Sequence, residues 1–520
     1  MHALTAPLSE LAEIEEICEE RGREPGMLLL SGCVTSQKTH LMYALGKDYG
    51  HTLIVLSSED KAKKLYEEYR FLNENTSYYP AKDLLFYQAD IHGKQLVKQR
   101  METLQMMMEA KSQVTVITTI DGFMDELPSE AEIKGDILTI SNGETLEFES
   151  LKEKIIKLGY DREAQVDGPG QFAVRGGIID IYPLTEELPI RIEFWGDEVD
   201  SIRTFDVDSQ RSVENLEQIV IYPADDRLGS DRKVSFINYF DPKDTLVFLD
   251  EPARLLEKGR LAENEVEKAR ENRAEEMERT GEMEEAPEFF TTDEIIKFLN
   301  KFCMIGMCAL EMKCKPFFVK KRFGIQAKSV NPYNSSFEML TQDLKRLKRN
   351  GYRAVLISGS RTRAKRLAED LRDYDLSSFY SEDQEREVNP GEIMVCYGHI
   401  EVGYEYPMIK FIVISESDIF GKTKKKKKRK SYDGQKISSF SDLKPGDYVV
   451  HENHGLGIYR GIEKIEVDKV TKDYMKISYA DGGNLYILAT QLDQIQKYAS
   501  ADAKKPKLNK LGGQEWHRTK

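Results

Sequence analysis

Eight consecutive residues, Gly32-Cys33-Val34-Thr35-Ser36-Gln37-Lys38-Thr39, carry the strongest chemical signal in the sequence. They follow an apolar run and open a helical pattern, the setting of a phosphate-binding loop. In such a loop backbone N–H groups cradle the phosphates, a lysine reaches the terminal ones and a hydroxyl meets magnesium. Far downstream, Leu246–Leu249 followed by Asp250-Glu251 has the form of the strand-and-acid element that holds the metal. The pattern breaks at one position. Phosphate loops place Gly immediately before the Lys, and this chain has Gln37, which adds a side chain where the backbone must approach phosphate closely. Two readings follow, an active nucleotide site or a fold that keeps the loop and has lost its ligand, and Gln37 favours the second. Gly32, Lys38 and Thr39 are read as a degenerate nucleotide loop, with no catalytic residue and no cofactor assigned to this chain.

Metal and thiol chemistry find less support. The cysteines are Cys18, Cys33, Cys303, Cys308, Cys314 and Cys396, and the three clustered ones follow at intervals of five and six residues. That spacing fits neither a zinc nor a redox motif, so reduced thiols are expected. His451 and His454 have no Cys or carboxylate at ligand spacing and read as structural. A binding face is more promising. In Ile190-Arg191-Ile192-Glu193-Phe194-Trp195, strand alternation puts Ile190, Ile192 and Phe194 on a core face and Arg191, Glu193 and Trp195 opposite. Arg175, ending the strand before Gly176-Gly177, is placed to join them. Arg and Trp dominate binding hot spots. The competing reading is that a neighbouring domain covers Trp195 and Arg191 pairs with the surroundings of Glu193.

The elements that must position these residues come from a 520-residue chain that is 40% apolar and 32% charged, enough for three or four domains with real cores. Met27–Leu30, Thr52–Leu56 and Val114–Ile117 read as buried strands, and Asp60–Leu72 and Lys94–Ala110 as helices, a parallel α/β layer. Between 125 and 208 the texture turns to short strands and Gly turns: Gln171–Val174, Ile178–Tyr182, Pro189–Trp195 and Val199–Asp206. The strand Thr245–Leu249 leads into a charged helix, Arg254 to Glu285. Arg353–Ser358, Arg361–Tyr374, Ile393–Tyr397 and Phe411–Ser415 form a further α/β pattern. The basic run Lys422–Lys430 reads as a linker in preference to a DNA contact, and Gly446–Tyr498 as a five-stranded small barrel or a strongly bent sheet. A net charge of −15 argues against a chain that coats nucleic acid over its whole surface. No apolar run approaches the ~20 residues of a membrane span, and Met1 to Glu20 lacks the pattern of a secretion signal. A cytoplasmic monomer is expected.

Gly168–Asp208, reading GPGQFAVRGGIIDIYPLTEELPIRIEFWGDEVDSIRTFDVD, resembles the region shared by bacterial excinuclease B and transcription-repair coupling factors. In that family the region docks onto excinuclease A. The resemblance maps its contacts onto Arg175, Arg191 and Trp195, the face already reached from alternation. Excinuclease B also has an intact phosphate loop and an aromatic hairpin that enters damaged DNA. Here Gln37 interrupts the loop, and only Tyr78-Tyr79-Pro80-Ala81-Lys82-Asp83 stands where the hairpin would lie, so the coupling factor is the better match. The C-terminal LKPGDYVVHENHGLGIYRGIEKIEV and KDYMKISYADGGNLYILATQLDQIQKY resemble its RNA-polymerase-interacting domain, a Tudor- or SH3-like barrel also found in free-standing transcription regulators.

The resemblance implies docking to the polymerase β subunit through Ile465, with Ile462, Val467 and Tyr459 contributing to the same strand. Alternation puts Ile458 and Ile462 on one face and Tyr459, Ile465 and Val467 on the other, so an apolar strip is expected to stay exposed. The implied domain order is 1–124 and 209–319 as a split, degenerate α/β domain, 125–208 as the inserted excinuclease A-binding domain and 320–419 as an α/β domain of unknown role. A basic linker at 420–440, the polymerase-binding domain at 441–500 and the start of a connector at 501–520 complete it. Coupling factors continue into an ATP- and magnesium-dependent DNA translocase, and no second phosphate-loop motif occurs here. The chain is therefore read as the N-terminal adaptor half, which binds partners and contacts DNA only through the absent motor. The alternatives are a nucleotide-dependent helicase of the excinuclease B type and a free-standing polymerase-binding regulator.

Overall fold

A computed structural model describes residues 2–82, 94–225, 233–280, 288–311, 313–383, 385–421, 434–436, 443–451, 455–467, 470–480, 483–488, 495–498 and 508. The basic run Lys422–Lys430, Asp83 and the connector around Gln514-Glu515-Trp516 lie outside them. Four large sheets organise the chain.

The first sheet has seven strands in the order Val319–Gly324, Gly26–Ser31, Cys303–Cys308, Thr245–Asp250, His51–Leu56, Val114–Thr119 and Thr76–Tyr79, all parallel. Parallel strands covered by helices on both faces must be apolar on both, and these are. Leu28, Leu30, Ile54 and Leu56 pack into one core, while Met27, Leu29, Leu53 and Val55 fill another on the opposite face. The helices Thr35–Gly46, Glu59–Tyr69 and Lys94–Glu109 connect strands within this layer. The charged stretch is the helix Pro252–Thr280.

The second sheet is the insert: Ser212–Leu216, Glu198–Phe205, Ile190–Trp195, Ile178–Tyr182, Gln171–Arg175 and Asp161–Arg162. Its core face is Phe172, Ile179, Ile181, Ile190, Ile192, Val199 and Ile202. The third sheet runs Lys328–Ser329, Tyr404–Tyr406, Phe411–Ser415, Arg353–Ser358, Ile393–Tyr397 and Ser378–Tyr380. Its helices are amphipathic at the expected period: Phe337–Arg349 buries Leu340, Leu344 and Leu347, and Arg361–Arg372 buries Ala364, Leu367, Ala368 and Leu371. Both start on a serine, Ser336 or Ser360, whose hydroxyl accepts an N–H of the first turn.

The C-terminal sheet departs from expectation. Six strands stand in the antiparallel order Gly434–Lys436, Ile495–Tyr498, Tyr448–His451, Gly455–Val467, Val470–Ser478 and Asn484–Leu488. No closed barrel forms among the described residues. Ile495–Tyr498 would have to reach Asn484–Leu488 to close one, and both of its edges are already paired, to Gly434–Lys436 and to Tyr448–His451. The short sixth strand that takes the closing edge lies before Gly446, outside the stretch whose pattern suggests a barrel.

Candidate functional site

The face read from alternation exists. In Ile190–Trp195, Ile190 and Ile192 are buried, Arg191 and Glu193 are half-buried, and Trp195 is 83% exposed. Phe194 packs edge-on against Phe148, with ring centroids 5.1 Å apart. Among the described residues, none covers Trp195. An indole left in water at a strand end, beside Gly196 in the left-handed region (φ 65°), gives up the burial that normally stabilises an aromatic.

What holds the arginines is a residue that alternation alone did not single out. Asp180, 1% exposed, stands directly opposite Arg191 on the neighbouring strand. Arg191 donates Nε–H to Asp180 Oδ1 at 2.7 Å and a terminal N–H to Oδ2 at 2.9 Å, a bidentate pair. It also donates to Gln210 Oε1 at 3.1 Å, and its guanidinium lies 4.5 Å from the centre of the Phe205 ring. Arg175 donates to Asp180 Oδ2 at 3.1 Å. Hydrogen bonding to Asp180 holds the Arg191 pKa above its ordinary value. Glu193 does not take part; it pairs with Arg203 and accepts from Ser201 Oγ at 3.0 Å. One buried carboxylate therefore aims two arginines, of which Arg175 keeps half its side chain in water and Arg191 much less. A lone Asp between Ile179 and Ile181 was the available signal.

The loop at 32–39 has a different character. Gly32 N–H donates to Ala309 O (3.3 Å), Cys33 N–H to Cys308 O (3.2 Å) and Val34 N–H to the Gln37 side-chain oxygen (3.0 Å). Ser36 Oγ accepts from Val402 N–H at 3.2 Å. Lys38 Nζ lies 2.6 Å from Asp250 Oδ1 and 2.7 Å from Glu251 Oε1. Burial works against the Lys38 charge, but the two carboxylates outweigh it and raise the pKa above the usual lysine value. Gly32 has φ 82°, and a Cβ there would meet Ile325 O at 2.5 Å, so this glycine serves a close backbone approach within the fold. The amides of Gly32, Cys33 and Val34 and the Lys38 ammonium are thus engaged within the chain, and a buried Gln37 side chain fills the position before the lysine, a poor fit for a nucleotide. Burial also pushes the Cys33 thiol up to about 12, away from reactivity.

Tyr79 of the Tyr78–Asp83 stretch is a core residue, stacked on Phe236 at 3.5 Å with Arg100 4.4 Å from its ring centre. No disulfide joins the described cysteines, and no cluster of three His, Cys, Asp or Glu among the described residues stands ready for a metal. His451 is buried and His454 lies outside the described residues.

In the C-terminal sheet the expected exposed strip is only partly placed. Tyr459 is 3% exposed and sits in the sheet's core with Ile462 packed on the same cluster, so the two do not lie on opposite faces as uninterrupted alternation predicts. The reason is an irregularity between Tyr459 and Gly461: Tyr459 pairs with Ile477 and Gly461 with Lys476, leaving Arg460 as an extra residue. One inserted residue reverses every later side chain. Ile465 and Val467 hold strand positions opposite Lys472 and Val470; their side chains lie outside the described residues.

Comparison with known proteins agrees with this layout. Residues 138–226 match the UvrB interaction domain, and residues 443–499 the CarD-like/TRCF RID domain. The chain is 29% identical to a transcription-repair-coupling factor of Bacillus subtilis over 95% of its own length and 47% of that protein's. It is 27% identical to the corresponding protein of Staphylococcus epidermidis over 99% of its length and 48% of that protein's, and 28% identical to that of Staphylococcus haemolyticus. The chain spans about half the length of the curated relatives it matches. No helix among the described residues is long and apolar enough to cross a membrane. In similarity and in the two domains that it carries, the chain fits the N-terminal half of a transcription-repair-coupling factor.

Proposed function

We propose that this chain is a two-sided adaptor that couples stalled transcription to nucleotide excision repair. One side, the exposed face of the 171–205 sheet, docks excinuclease A through Arg175, Arg191 and Trp195. The other, the sheet of residues 443–499, docks the β subunit of RNA polymerase through Ile465, with Val467 beside it on the strand and Ile462 and Tyr459 supporting from the core. The chain itself works as a cytoplasmic monomer that binds and turns over nothing. Contact with DNA and consumption of ATP belong to the translocase half of such a factor.

The observation that carries this reading is Trp195, solvated at the end of the strand whose Arg191 shares one buried aspartate with Arg175, within the segment that matches a UvrB interaction domain. A solvated indole with pre-aimed cations is a hot spot waiting for a partner. The test is a two-partner pull-down with purified excinuclease A and RNA polymerase. Arg191→Ala should abolish capture of excinuclease A alone, and Ile465→Arg capture of polymerase alone. Capture of both partners by both variants would refute the assignment.

A further inference from the structure

Ser36, Gln37, Thr39 and His40 are all buried, although they open a helix at the margin of their own sheet. Their cover comes from the third sheet, from the segment 401–406. Val402 N–H donates to Ser36 Oγ at 3.2 Å. The Tyr404 ring stacks on His40 with centroids 5.1 Å apart, and Tyr406 Oη lies 3.1 Å from His40 Nδ1. His40 Nε2 lies 2.6 Å from Leu4 O. A carbonyl can only accept, so Nε2 carries the proton, and a neutral ring then takes the tyrosine proton at Nδ1. Burial agrees, pushing the His40 pKa down to about 4.

The covering segment is fixed from behind. The Asp418 carboxylate accepts from Gly403 N–H (2.7 Å), Ser415 N–H (2.8 Å) and Ser415 Oγ (2.7 Å). A Cβ at Gly403 would come within 2.5 Å of both Asp418 Oδ2 and Val413 O. Between the two units lies Glu68, 6% exposed. The Ser36 and Thr39 hydroxyls and the Glu401 backbone lie near enough to favour its charged form, but its Oε1 has no hydrogen-bond partner. A charged carboxylate with an orphan oxygen is costly in such a place. Burial, helped by the nearby charge of Glu401, raises the Glu68 pKa to about 8, so the group is mainly neutral at pH 7.

We propose that the α/β unit of residues 328–420 is an internal cap that holds the 32–40 segment shut, and that Glu68, buried where the two units meet, is the latch between them. Opening exposes Glu68 to water, where it releases its proton. The closed form holds a proton that the open form lacks, so rising pH favours opening until Glu68 ionises in the closed form too, near pH 8. The other titratable groups at the contact are His40, Glu401, Tyr404 and Tyr406, with Cys33 and Lys38 on the adjoining loop. His40 opposes this trend only below about pH 6.5, where its exposed form would gain a proton. The tyrosines, Lys38 and Cys33 keep their protons through pH 8 in the closed form.

Hydrogen exchange on the whole chain at pH 7 and pH 8, corrected for the intrinsic exchange rate, tests the latch. Protection across 32–45 and 398–406 should fall about fivefold over that interval, while the 171–205 sheet stays constant. Glu68→Gln, which keeps the shape without the ionisable proton, should abolish the pH dependence. Tyr406→Phe, which removes only the hydroxyl at His40, should speed exchange across 32–45 at pH 7. Equal protection at both pH values in the wild type, or the same fall in Glu68→Gln, would overturn the latch. Unchanged exchange in Tyr406→Phe would overturn the cap.

Discussion

Lys38 and Arg191 are both cations held by carboxylates, yet their surroundings differ. Lys38 sits between Asp250 and Glu251, with all three side chains at most 15% exposed and the Gly32, Cys33, Val34 and Lys38 amides bonded within the chain. Arg191 sits on Asp180, but it shares that carboxylate with a half-exposed Arg175, and its strand ends on a solvated Trp195. The charge pairing is similar; what differs is whether the neighbouring polar and aromatic groups have partners within the fold. A site whose groups are all satisfied internally stabilises, and one that leaves an indole and a guanidinium in water is built for something outside.

Removing the cation should therefore have opposite consequences in the two places. Lys38→Ala leaves two nearly buried carboxylates facing each other and should cost about 3 kcal/mol of stability, read as a lowered urea midpoint for the first sheet, with capture of excinuclease A unchanged in the folded protein. Next in size, Trp195→Ala and Arg191→Ala should each weaken excinuclease A binding by about 2 kcal/mol or more, roughly thirtyfold in Kd, measured by calorimetry. Trp195→Ala should leave the melting temperature in place, since its ring contributes little burial. A large drop in stability instead would put Trp195 on the structural side of the comparison. Ile465→Arg should weaken polymerase binding at least about tenfold without touching excinuclease A. The smallest effect is expected for Gln37→Ala, which frees the Val34 N–H and should cost about 1 kcal/mol, as the loss of a helix cap does.

Much of this division was legible in the sequence. Continuous apolar runs such as Thr52–Leu56 announced parallel strands, and period-two alternation in Ile190–Trp195 gave the face that carries Arg191, Glu193 and Trp195 away from the core. Gln37 marked the loop as altered. The way the loop is filled was not legible, because Val402, Cys308 and Ala309, which pair with it, lie hundreds of residues away and only tertiary packing brings them together. Asp180 was missed because its role depends on cross-strand register. Tyr459 was put on the wrong face because nothing local announces that Arg460 is an extra residue, and alternation carries no memory past such an insertion. Arg191 does pair within the fold, as the competing reading had it, but with Asp180 and Gln210, while Arg203 across the next strand reaches Glu193.

The most direct measurement of the adaptor is a bridging assay. RNA polymerase is immobilised, the chain is added, and retention of excinuclease A is recorded with nucleotide absent throughout. The account predicts that excinuclease A is retained only when the chain is present, and that either Arg191→Ala or Ile465→Arg alone releases it. Binding of each partner separately but never of both together, or retention that requires ATP and an intact Lys38, would contradict it.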